Sequence, residues 1–149
     1  MRGPLTIVLF ALLLASCSVA SPHRLDGVPV TDPLAMFPAT HQVLIYWYES
    51  CPYCERELAE INAVYWELKR ANVEIIALNV GDSDSLVVKT VAERGYLFPV
   101  VAGYTFADLP AVGVPYQEVY LNQQLTAKHV GYLTLVELGG LIFLERGTK

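Results

Sequence analysis

From Gln42 onward the apolar positions alternate between two periods. Val43–Tyr48 is a continuous, β-rich apolar run, as a buried strand should be. Leu58, Ile61, Tyr65 and Leu68 then recur at steps of three and four, which draws one face of a helix from the cysteines at 51 and 54 to about Ala71. Val73–Val80 is again nearly all apolar and reads as a central strand. Gly81-Asp82-Ser83-Asp84-Ser85 supplies a loop and N-cap for a helix that runs to Arg94 and stops at Gly95. Phe98-Pro99-Val100-Val101 is a short apolar segment, followed by an irregular stretch to Gly113-Val114-Pro115. Gln117–Leu121 and Leu125–Val130 form a hairpin about Asn122-Gln123. Thr134 and Glu137 make a capping box for a terminal helix carrying Leu135, Leu138, Leu141 and Ile142. Gly139 and Gly140 inside that helix each cost about 1 kcal/mol against Ala. Strand, helix, strand, helix, hairpin, helix is an α/β sandwich with a mixed sheet, and it occupies residues 42–149.

The chain before Gln42 has a different character. Arg2 supplies a thin positive region, Leu5 to Leu14 is apolar apart from Thr6, and Leu14-Ala15-Ser16-Cys17 follows. That stretch is shorter than the ~20 residues needed to span a bilayer, so residues 1–16 read as a cleaved signal peptide. Leu-Ala-Ser-Cys resembles the bacterial lipobox, which would make Cys17 a lipid-modified first residue. The alternative is an ordinary signal cut after a small residue near Ala20. Pro22, Pro29, Pro33 and Pro38 break any helix between 17 and 41, which reads as a linker that spaces the domain from its anchor, with an edge strand about Val28–Val30 as the other reading.

Cutting before Cys17 removes Arg2 and leaves nine basic against fifteen acidic residues, a net charge of −6. No basic cluster survives, which argues against nucleic acid as a partner. An exported chain left with two cysteines is not a disulfide-stapled scaffold. One pair at the shortest useful spacing, Cys51-Pro52-Tyr53-Cys54, points to chemistry instead.

Two thiols at this spacing open and close a disulfide, so no further cofactor is needed. The strand-to-helix junction puts Cys51 near a helix N-terminus, where a thiol pKa of about 8.5 can fall to roughly 3.5–7.5. The helix dipole contributes only about 0.3–1 kcal/mol. A larger shift needs direct hydrogen bonds from backbone N–H groups and from the Cys54 thiol. Pro52 suits the first helical turn. Cys51, the outer thiol, is the nucleophile and Cys54 the resolving thiol. A zinc site would need four ligands, and only His23, His41 and His129 remain without paired spacing, so no metal site is expected. Cu(I) handling by Cys51, Cys54 and His129 is the alternative function. A thiol peroxidase is disfavoured, because Tyr48 stands three before Cys51 where such enzymes place Thr.

The ordered set resembles a thioredoxin-like fold, a three-layer sandwich with a central mixed sheet flanked by helices. It consists of the C-x-x-C with Trp47 four residues before it, Val73–Val80, Phe98-Pro99-Val100, Gly113-Val114-Pro115 and Lys128-His129-Val130-Gly131. More closely, it is similar to the membrane-anchored, extracytoplasmic thiol–disulfide oxidoreductases of the TlpA/ResA/DsbE type. That resemblance implies a cis Val114–Pro115 bond facing the dithiol, with Val114 and Pro115 joining Pro52 and Tyr53 in holding an extended substrate. It also implies reduction of disulfides in exported cysteine-containing proteins, a membrane thiol electron donor, and a place in the bacterial cell envelope. Three departures stand out. Ser50 replaces the Trp that thioredoxins carry before the first Cys, and Ile45 stands where thioredoxins bury an Asp. Pro52-Tyr53 is the glutaredoxin dipeptide, but Gly139-Gly140 is followed by Leu141 and Ile142, which does not support glutathione specificity. Glu57, three residues after Cys54, is the candidate replacement base, since several relatives carry an acid there. Otherwise Glu55, Arg56, Glu57 and Glu60 read as a solvated helix face.

Overall fold

A computed structural model describes residues 21–143. The expected signal peptide, Cys17 and the start of the expected linker lie outside the described residues. The elements in chain order are β1 (His23–Arg24), α1 (Pro33–Met36), β2 (His41–Trp47), α2 (Pro52–Ala63) and α3 (Tyr65–Arg70). After these come β3 (Val73–Val80), α4 (Asp84–Arg94), β4 (Val100–Tyr104), β5 (Tyr116–Leu121), β6 (Gln124–Val130) and α5 (Leu135–Phe143). Six strands form one mixed sheet in the order β1-β4-β3-β2-β5-β6. β2 is parallel to β3 and β3 to β4, while β5 runs antiparallel to β2, with Ile45 opposite Gln117 and Tyr46 opposite Tyr116. The fold is the α/β sandwich with a mixed central sheet that the pattern of periods implies.

The alternation of side chains across each strand divides the core in two. Val43, Ile45, Trp47, Ile75 and Ala77 face Leu58 and Ile61 of α2, Tyr65 of α3, Val87 of α4, and Leu138 and Ile142 of α5. All the longer helices therefore pack on one face. Leu44, Tyr46, Ile76, Leu78 and Val101 point the other way, toward Val30, Leu34, Met36, Phe37, Leu109 and Ala111. That second cover is thin, built from α1 and the 105–115 connection, whose only regular piece is a short 3-10 turn at Phe106–Asp108.

Here the linker expectation needs correction. Over residues 21–41 the chain is folded onto the domain. β1 pairs with β4, the Val30 amide donates to the Pro22 carbonyl, and Asp32 caps α1 through Leu34 N and Ala35 N. Gln42 ties the segment down by donating to the carbonyls of Leu34 and Phe37. The prolines break helices here, but they do not free the chain from a sheet face that needs covering.

One boundary also shifts, and one strand is added. The helix expected to reach Ala71 is interrupted at Val64, which lets Tyr65 turn inward and donate to buried Glu74. The short apolar segment contains a strand that the reading did not assign, β4, which begins at Val100: Pro99 has no N–H for the ladder, and its carbonyl accepts from Ala77 N. Gly95 stops α4 in the left-handed conformation at φ 64°, as its position implies. The hairpin turns on Asn122 (φ 50°) and Gln123 (φ 63°), both left-handed, and the Thr134–Glu137 capping box is formed.

Candidate active site

β2 is buried at the centre of the sheet and delivers Cys51 to the start of α2. Cys51 is the N-cap residue of that helix, Pro52 occupies its first turn, and the Cys51 Sγ accepts a hydrogen bond from Cys54 N at 3.1 Å. The two sulfurs are bonded, with Cα atoms 5.2 Å apart. Cys51 keeps 4% of its surface exposed and Cys54 none, so an incoming sulfur meets Cys51 first. Once the bond opens, the same N–H that caps the helix is in place to stabilise a Cys51 thiolate.

The loop carrying the cysteines is held from beneath by groups that sequence reasoning missed. Asp82 Oδ2 accepts from Glu49 N at 2.7 Å and from Asn79 Nδ2 at 2.8 Å, pinning the chain two residues before Cys51 to the end of β3. The available signal was Asn79, a polar residue in an otherwise apolar strand. Trp47 is buried, edge-on to Tyr96.

Of the four residues expected to meet substrate, Pro52 and Tyr53 are exposed, Tyr53 by 65%. The Val114–Pro115 bond is cis, and Val114 is half-buried. Continuing the β2–β5 register from Tyr46 opposite Tyr116 brings Pro115 level with Trp47, at the cysteine end of the sheet. Exposed Phe106 and Val112 belong to the same connection that leads into Val114. Phe106 lies across Gly81, where a Cβ would come within 2.3 Å of its ring, and edge-on to Tyr48. An apolar rim at this end was not legible, because residues 105–112 carry no period.

Glu57 is not part of a solvated face. It is 1% exposed, and its carboxylate accepts from Gln117 Nε2 at 2.7 and 2.9 Å and from Leu133 N at 3.1 Å. Burial pushes its pKa up to about 7 from an ordinary 4.5, against the opposing pull of those donors. Glu60, one turn further, behaves as the exposed-face reading expects: it takes hydrogen bonds from Tyr132 and Arg56, which hold its pKa down. Ile45, standing where thioredoxins bury an acid, is opposite Gln117 on β5, so the polar partner reaches this face from the neighbouring strand. His129, on β6 opposite Gln117, is not brought together with the cysteines: among the described residues no group of three or more His, Cys, Asp or Glu side chains could hold a metal ion.

A buried strand that ends in a helix-capping disulfide, with a cis-proline strand alongside, is a thioredoxin-like arrangement. Residues 31–124, more than half of the chain, match the AhpC/TSA family. The chain belongs to that family. Within the family it is similar to proteins named thiol-disulfide oxidoreductase ResA. The relative from Halalkalibacterium halodurans is 35% identical over 71 residues, covering 48% of this chain and 40% of that protein. The relative from Geobacillus kaustophilus is 40% identical over 58 residues, covering 39% and 33%. The chain thus matches well under half the length of these relatives. Solved structures share the fold at low identity. StoA from Bacillus subtilis superposes with TM-score 0.62 at 14% identity, over 83% of this chain and 97% of that one. A secreted Mycobacterium tuberculosis disulfide oxidoreductase, described as homologous to E. coli DsbE, gives 0.64 at 17% identity, over 82% and 91%.

Proposed function

We propose that this AhpC/TSA-family chain is an extracytoplasmic thiol–disulfide oxidoreductase that reduces disulfides in exported cysteine-containing proteins. The observation that carries the reading is the Cys51–Cys54 bond at the start of α2, with Cys51 keeping the pair's small exposed area and a buried acid one turn behind Cys54. The relatives' own designation as thiol-disulfide oxidoreductases supports the same chemistry.

In the reduced enzyme the Cys51 thiolate attacks a substrate disulfide. One substrate sulfur leaves as thiolate and takes a proton from water, and a mixed disulfide remains on Cys51. Cys54 then gives its proton to Glu57, attacks the Cys51 sulfur and expels the second substrate thiolate, leaving the enzyme oxidised. A membrane thiol donor would return the two electrons. Glu57 suits the proton step because its pKa near 7 lets it accept and return a proton at neutral pH. The exposed Tyr53, Phe106 and Val112 are the surface on which an extended substrate would rest, beside Val114 and Pro115. The signal segment and a lipid on Cys17 would hold the domain at the outer side of the bacterial membrane.

Trapping tests the order of roles. Incubated with a disulfide-bonded peptide and resolved by mass under non-reducing conditions, reduced Cys54→Ala accumulates a mixed disulfide on Cys51, whereas Cys51→Ala neither traps peptide nor turns it over. Trapping by Cys51→Ala alone would reverse the assignment, and trapping by neither would remove it.

A further inference from the structure

Gln117 is buried near the start of β5 and has no place in the thiol chemistry itself. Its side-chain nitrogen lies within hydrogen-bond distance of both Glu57 oxygens and, at 3.0 Å, of the Gly131 carbonyl. One N–H is shared by the carboxylate and the other is anchored on Gly131. The Gln117 carbonyl oxygen is buried without a partner. The remaining polar contact of Glu57 is Leu133 N, also a donor. Glu57 therefore sits among donors alone, an environment complementary to a carboxylate. Protonating Glu57 leaves its O–H without an acceptor unless the Gln117 amide turns over, and turning it over would abandon Gly131.

We propose that Gln117 is the positioning residue that keeps buried Glu57 ready to accept a proton, by fixing its amide N–H toward the carboxylate and its carbonyl away. The inference rests on the reading of Glu57 as the base for Cys54, in which the Cys54 S–H bond breaks and a Glu57 O–H bond forms. Burial drives Glu57 toward its neutral form, and Gln117 opposes burial. Without the amide, Glu57 would hold its proton through neutral pH and have no room for another. The other titratable groups about Glu57 are Cys54 and Glu60 on α2, Tyr132 in the turn after β6, and His129 across from Gln117 on β6. None of them donates a hydrogen bond to it among the described residues, and Glu60 pushes its pKa further up. The signal in the sequence was a glutamine followed by a glutamate inside a strand, opposite Ile45.

Gln117→Met keeps length and bulk and deletes the amide. In the oxidised protein, where the cysteines do not titrate, carboxyl-carbon NMR reads Glu57 directly. The expected result is a Glu57 midpoint at least one pH unit higher in Gln117→Met. Turnover of a disulfide-bonded peptide at pH 7 should fall by about fivefold or more, the drop in ionised Glu57 that a one-unit rise from about 7 produces, and its ratio to the unaltered protein should recover by pH 9. Glu57→Gln should show the same loss without recovery, and the double variant should match Glu57→Gln. An unmoved Glu57 midpoint overturns the assignment of Gln117. A midpoint that moves while Glu57→Gln keeps full turnover supports Gln117 as the group that sets Glu57, and overturns Glu57 as the base instead. Should Gln117→Met fail to fold, the unaltered protein decides: the side-chain ¹⁵N resonance of Gln117 must shift with the same midpoint as Glu57, and its constancy overturns the proposal.

Discussion

Glu57 follows Glu55 and Arg56 in a run that reads as solvated, and its own environment is the least solvated of the three. A buried carboxyl whose pKa is raised to about 7 makes folding depend on pH in a definite direction. Below about pH 4.5 the group is protonated in both folded and unfolded chains and is neutral in its effect. Between that value and 7 the unfolded chain ionises while the folded one holds its proton, so stability falls as pH rises. Above 7 both forms are ionised and the loss is constant, on the order of 3 kcal/mol for a shift of this size. Glu57→Gln removes this term. Urea unfolding of the oxidised protein at pH 4.5 and 7.5 should show a smaller drop in stability for Glu57→Gln than for the unaltered chain, by up to that amount. Equal drops would mean that Glu57 is not held protonated by the fold. Cys51 and Cys54 were legible at this scale because their spacing is local. Gln117 and Asp82 were not, since each acts on residues more than thirty positions away.

At the scale of elements, the apolar pattern located the strands and helices well wherever it was unbroken, either as a continuous run buried on both faces or as one buried face of a helix. β2, β3, α4, the β5–β6 hairpin and α5 lie within a residue or two of their expected bounds. What failed had no periodic signal to offer. The break at Val64 involves neither Gly nor Pro, and it exists because Tyr65 finds Glu74 across the sheet edge. The hairpin turn shows a local cost that the sequence accepted. Both central residues are left-handed, and while Asn tolerates that conformation, Gln does not favour it. Gln123→Gly should therefore raise stability by roughly 0.5–1 kcal/mol, the steric relief being partly offset by the entropy of the new glycine. A higher urea midpoint at unchanged slope would be the expected record; a lower one would mean that the Gln123 side chain contributes contacts of its own.

For the molecule as a whole, the segment before β2 is the part that composition misrepresents. Proline-rich and without a period, it reads as a spacer, but one face of the sheet carries all the longer helices and the other would keep only the 105–115 connection as cover without it. A chain beginning at Thr40 would expose Leu44, Ile76, Leu78 and Val101 and lose the burial of Val30. At about 25 cal/mol per Å² of apolar surface, the expected loss is at least about 3 kcal/mol. Its urea midpoint should collapse, whereas trimming a true spacer would leave the midpoint where it was. The long-range pairings have a further consequence in time. Glu57 and Gln117 are 60 residues apart, and Glu57 and Leu133 are 76 apart, so these contacts close only after the β5–β6 hairpin has docked on β2. A newly made chain carries two ordinary thiols long before Glu57 meets its distant partners. The surroundings of Glu57 are thus completed by the last of the described elements to dock, and the fold itself sets the moment at which the buried acid behind the dithiol takes its final form.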